Sequence, residues 1–189
     1  MPGKLANGIC CFGPSFFVSL AFILSLFAQR RCNYISINGE ASNTGNKGVS
    51  YLVSNVGVTC WQDGHGNSWL YSSGVNALEE VRAAQDLSLA TIIMGTTAWA
   101  LFVLAGCVRF PPAAWLLISA ILAATAVTEG LVYRDMFDNG YCGESGACSR
   151  GTGAKCAISA MTFWTLSSFM CFGVFREATD IQNAEEEGP

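Results

Sequence analysis

Charge is what this chain has least of. Only 13% of its 189 residues are Asp, Glu, Lys or Arg, against 51% hydrophobic, and the mean hydropathy is +0.37. That balance excludes an ordinary soluble domain, in which about a quarter of the residues are charged. Fourteen acids outnumber ten basic residues, giving a net charge of −4. No basic patch exists to neutralise phosphates, so nucleic acid is excluded as a partner. The single histidine, His65 in "DGHGN", reads as a turn residue, because a metal site needs further His or Cys ligands nearby. No glycine-rich dinucleotide or phosphate-loop motif occurs. Two shorter signals are also missing, an Asn-x-Ser/Thr acceptor and a Cys-x-x-Cys pair.

What is present is oil. Four apolar runs cover roughly 9–28, 87–108, 113–133 and 157–175. Each is near the ~20 residues with which a helix crosses ~30 Å of hydrocarbon. They lack the polar stripe that a soluble bundle helix carries. The expected architecture is a membrane all-α four-helix transmembrane bundle, one domain over 1–176. The first run reads as an uncleaved signal anchor, since "SLFAQRR" has a large Leu26 before Ala28 and two arginines directly after. The tail 177–189, acidic and polar, is expected to be disordered.

The connections are unequal. "RFPP" at 109–112 is a tight turn, because paired prolines cannot continue a helix. The first loop, 29–86, is long. Its "CNYISING" and "VSYLVSNVGVTCW" carry β-branched and aromatic residues between Gly, Asn and Ser clusters, the pattern of strands and turns. "EASNTGNKG" reads as a hairpin tip, and "VNALEEVRAAQDL" shifts to helical spacing and leads into span two. A small extracellular antiparallel β-sheet on the bundle is expected, with a second loop over 135–155.

Nine cysteines sort by face. Cys32, Cys60, Cys142 and Cys148 lie in the loops and Cys156 at the same membrane face, which suggests disulfides on an oxidising side. Cys10, Cys11, Cys107 and Cys171 lie toward the opposite face, and the Cys10-Cys11 pair beside span one is the candidate for palmitoylation. Both termini are therefore expected in the cytosol of a multi-pass plasma-membrane protein. The basic residues count the other way, three inside against seven outside, contrary to the positive-inside tendency; the cysteines carry the assignment.

Three features bear a resemblance. Span three ends in "LVYRDMFDN", where Arg134, Asp135 and Phe137 match an Arg-Asp-aromatic stretch; "ALEEVRAAQDL" enters span two; and a large β-rich first loop precedes a tight turn and a smaller second loop. Together they resemble the claudin-like tetraspan superfamily, which includes peripheral myelin protein and calcium-channel γ subunits. The layout covers most of the chain, the motifs about twenty residues. The departures are specific. Trp61 follows Cys60 rather than preceding it, no second cysteine lies between Cys60 and span two, and the tail ends Glu-Gly-Pro. Cys32 is then the expected partner of Cys60. Cys142 pairs with Cys148 or with Cys156, and one of the five stays unpaired.

The resemblance implies a structural or cell-contact protein. Its partners would be the lipid bilayer and other membrane proteins, including itself in cis or trans. An auxiliary subunit of a channel or receptor is the alternative. An enzyme of the vitamin K reductase type is disfavoured by the missing Cys-x-x-Cys, whose lowered thiol pKa drives exchange. No catalytic residue, metal ligand or cofactor is expected. Glu129, Arg134 and Asp135 form a structural charge group at the end of helix three, with Glu129 expected to pair with Arg82, Arg30 or water. Ser15/Ser19, Ala120/Ala124 and Ser159/Ala160 are small residues at helix-packing spacing, expected in the core.

Overall fold

The computed structural model describes residues 3–44, 50–63, 65, 68–70, 79–105, 110–137 and 148–186. Four helices dominate it: α1 (Gly3–Arg30), α2 (Glu79–Ala105), α3 (Pro112–Phe137) and α4 (Thr152–Glu186). All four are long and apolar enough to cross a membrane. Each helix packs on two others in a ring, with α4 against α1 and α3, and α2 against α3 and α1. Large apolar side chains left exposed, such as Leu117, Val127, Phe169 and Ile93, lie on these helices. A surface of that kind suits contact with lipid.

The helix boundaries follow local chemistry. Pro112 opens α3 at a position where its missing N–H costs nothing. Arg30 and Arg134 fall in the last turns of α1 and α3, where a positive charge meets the negative end of the helix dipole. The expected disorder of the tail is corrected for residues 177–186, because α4 runs unbroken to Glu186; 187–189 lie outside the described residues. No Gly or Pro interrupts the segment from Arg176 to Glu186, and Ala, Glu and Gln are good helix formers. Extending an existing helix also avoids the cost of a new nucleus.

The strands are β1 (Ile35–Thr44), β2 (Ser50–Val56), β3 (Cys60–Asp63), β4 (Ser68–Leu70) and β5 (Cys148–Arg150). They form one antiparallel sheet in the order β4-β3-β2-β1-β5. The β1–β2 register slips between Ser36 and Ala41, over the Asn38-Gly39 pair, residues that fit a strand interior poorly. Most of the expected hairpin tip belongs to β1, which extends to Thr44. The edge strand β5 comes from the second loop, so both loops share one sheet.

Two apolar clusters hold the molecule. An inner one, deep in the bundle, gathers Val18, Ala21, Ala98, Phe102, Leu122 and Trp164. An outer one joins bundle to sheet through Ala28, Tyr34, Ile35, Val56, Val58, Ala84, Val132 and Met136.

Candidate functional site

Between the two clusters lies a layer of buried polar side chains. Burial recurs on a three-four spacing along every helix: Val18, Ala21, Ser25 and Ala28 on α1; Ala84, Ser88, Thr91, Gly95, Ala98 and Phe102 on α2. The same spacing takes in Leu122, Thr125, Glu129, Val132 and Met136 on α3, and Ala157, Ala160, Trp164, Ser167 and Cys171 on α4. That is the seam of a left-handed bundle. At one level the seam turns polar, with Ser25, Gln29, Ser88, Thr91, Thr125 and Glu129 all buried.

Trp164 crosses this level. Its indole Nε1 donates to Ser25 Oγ at 3.1 Å, and Ser25 Oγ donates to Glu129 Oε2 at 2.9 Å. Gly95 makes room for the ring: a Cβ there would stand 3.2 Å from Trp164 Cζ2. One residue from each helix therefore meets at the bundle centre. Around them Gln29 Nε2 donates to the Ser88 carbonyl (3.2 Å), and Thr91 Oγ1 donates to Thr128 Oγ1 (3.0 Å). Polar groups in a span must find partners inside the protein, and these do.

Tyr34, in the outer cluster, is fully buried, with a hydroxyl that has no hydrogen-bond partner. Burial first, then Glu129 and Tyr133, push its phenol above the ordinary range. Tyr34 is fixed through its backbone: its N–H donates to the Val56 carbonyl at 3.0 Å, and its carbonyl accepts from Gly151 N–H at 2.9 Å.

The sheet is clamped to the helices at close range. Cys32 and Cys60 are bridged, with Cα atoms 5.0 Å apart. A Cβ on Gly57 would collide with the Arg31 carbonyl and lie 2.7 Å from Cys32 Cα, so only glycine fits. Thr59 Oγ1 donates to the Gln29 carbonyl and Gln85 Nε2 to the Val58 carbonyl, each at 2.9 Å. On the other side Gly151 abuts Asn33, and the Arg150 guanidinium lies 5.9 Å from the centre of the Tyr133 ring.

The expected site residues fall as follows. Cys148 is disulfide-bonded and Cys156 is a free thiol, so no bridge joins Cys142 to Cys156; Cys142 itself lies outside the described residues. Cys10 and Cys11 lie on α1, with their side chains outside the described set. Arg134 is exposed and Asp135 half-buried, whereas Glu129 is only 2% exposed. The charge group is thus split. Glu129 accepts from Ser25, and Arg30 and Arg82, the arginines expected to reach it, are exposed. Ala160 is in the core, but Ala120, Ala124 and Ser159 face outward. Sequence reading missed Ser25, Tyr34 and Trp164. The small-residue spacing Ala84-x3-Ser88-x2-Thr91-x3-Gly95-x2-Ala98 was the available signal for the seam.

Among the described residues no three His, Cys, Asp or Glu gather to hold a metal ion. No protein-family model matches the chain, and no curated protein matches it significantly.

Proposed function

We propose that this chain is a claudin-like tetraspan of the plasma membrane, both termini cytosolic, that works by contact through its sheet-bearing face and not by catalysis. One observation carries the reading: a single sheet built from both loops, bridged by Cys32–Cys60 and seated on the ends of α1, α2 and α4. A surface held this firmly loses little freedom when it meets a partner, and preorganisation of that kind raises affinity. The disulfide favours an oxidising, extracellular side for the sheet. An even number of spans then returns both ends to the cytosol. The partner class is another membrane protein, including a second copy of the chain.

Two experiments test it. Purified protein is reconstituted into two differently labelled liposome populations, and clustering is followed by energy transfer between them. Clustering that disappears on reduction, or in Cys32→Ser/Cys60→Ser, supports trans contact. Absence of both clustering and cross-linkable dimers within one vesicle sinks the contact reading. For orientation, Lys155 is exposed at the start of α4. A membrane-impermeant amine reagent should modify it on intact cells; failure to do so would reverse the topology.

A further inference from the structure

α4 has two faces. One is the seam of Ala157, Ala160, Trp164, Ser167 and Cys171, buried in the bundle. The opposite face repeats the three-four spacing at Ser159, Thr162, Leu166, Phe169, Gly173 and Arg176, and all six are exposed. Lipid alone explains such a face poorly. The outward residues of α1, Phe16, Ile23 and Phe27, are large and apolar, as suits contact with acyl chains. On α4 the same kind of surface holds two hydroxyls and a glycine. Ser159 Oγ donates to the Lys155 carbonyl at 3.1 Å, and Thr162 Oγ1 to the Ile158 carbonyl at 2.9 Å. Small residues of this kind let another helix approach closely.

Gly173 differs from Gly13, Gly95 and Gly130. At those three the missing Cβ has a use inside the fold: a Cβ would stand 3.1 Å from Met170 Cε, 3.2 Å from Trp164 Cζ2 and 3.3 Å from Met161 Sδ. A Cβ on Gly173 would meet no atom of the described residues within 4 Å. Yet a glycine inside a helix costs about 1 kcal/mol relative to alanine. The next turn identifies what uses the space. From Lys155 to Arg176 α4 rises about 32 Å, close to the ~30 Å of a hydrocarbon core, so Arg176 stands where the helix leaves the bilayer. Glu177 follows it and is also exposed. Arg176 and Glu177 lie on opposite flanks of the stripe through Gly173. In a parallel pair related by a two-fold axis, one flank of each helix meets the other flank of its partner. This turn is therefore complementary in charge to its own copy.

We propose that two copies of this chain pair side by side in the membrane through this face of α4. The helices run parallel and cross at Gly173, with Arg176 of each copy against Glu177 of the other. Two glycines at the crossing let the backbones come close, and the ion pairs fix the register where the helices emerge. The contact lies toward the end of α4 far from the sheet. It is a lateral contact, separate from the sheet-bearing face, and does not rest on the contact reading.

The test uses full chains labelled with donor or acceptor, reconstituted together in vesicles and diluted with lipid. Energy transfer should stay well above the level of random neighbours as the protein-to-lipid ratio falls; transfer at the random level throughout overturns the proposal. Gly173→Leu should raise the dissociation constant on the order of tenfold while melting as the native chain does, because nothing in the fold must move for it. Arg176→Glu should weaken the pair to a similar degree. Adding Glu177→Arg to it should restore the pair, a rescue that no folding defect imitates. Ile23→Ala, on the outward face of α1, should pair as the native chain does. A Gly173→Leu chain that pairs as tightly as the native one overturns the crossing, and a charge swap that fails to rescue overturns the ionic contact. Reducing the Cys32–Cys60 bridge should leave the transfer unchanged, so failure of the sheet contact and failure of the α4 pair give different results.

Discussion

The outer and inner clusters solve the same packing problem with different materials. The outer one adds close main-chain contacts to its apolar side chains. Gly57, Gly151 and Gly153 let main chains touch, three main-chain hydrogen bonds fix Tyr34 and Asn33, and a disulfide closes the first loop. The inner one is made of side chains on a three-four seam, with an indole at its centre and hydroxyls that bond back one turn, as Ser167 does to the Phe163 carbonyl. The difference follows the solvent. Lipid tails are as apolar as leucine, so burial gives no drive between spans; close packing and internal hydrogen bonds must hold them together. Above the membrane, water supplies the hydrophobic drive, but a small sheet needs a staple.

The largest effect should come from breaking the inner region. Trp164→Ala empties the bundle centre and leaves Ser25 without its donor, and we expect a loss of about 3–5 kcal/mol. Unfolding by a denaturing detergent would measure it, with native-like stability arguing that the indole is peripheral. Next is the outer region. Cys32→Ser/Cys60→Ser should cost about 3 kcal/mol by releasing the loop, and proteolysis should cut the first loop while helical circular dichroism persists. Simultaneous loss of the helices would make the two regions one cooperative unit.

Two glycines sharpen the contrast. Gly57→Ala drives a methyl into main chain that cannot move aside, for a cost of about 1–3 kcal/mol. Gly95→Ala meets the rim of an indole at 3.2 Å, which can give by a few tenths of an ångström, and a gain of about 1 kcal/mol in helix propensity opposes the strain. It should be nearly neutral. Equal losses at both positions, read from paired melting curves, would erase the distinction between backbone and side-chain packing. The smallest effect is Arg150→Ala, an exposed cation over the Tyr133 ring. We expect about 0.5–1 kcal/mol, detectable as faster hydrogen exchange in β5.

How much of this was legible beforehand depends on the range of the interaction. The spans were, because twenty apolar residues suffice to mark one. The end of α3 was legible only approximately: the second loop was expected from Asp135, but no breaker interrupts "LVYRDMF" and the helix continues to Phe137. β5 was not: Cys148, Ser149 and Arg150 form a strand only because β1 offers an edge more than a hundred residues earlier. Glu129 stood out as a carboxyl in an apolar run, yet its partners were misjudged. Charge attraction suggested arginines, while the fold brought Ser25 across from α1.

By itself the sequence determined four helices, their approximate ends and a strand-rich first loop. These are local properties of hydropathy, turn residues and composition. Only the tertiary structure decided that Trp164, Ser25, Gly95 and Glu129 meet, that Tyr34 is buried in the outer cluster, and that both loops close one sheet. The reason is rotational. A span with little polarity reads much the same from every side, so which face turns inward is set by the fit against three other helices.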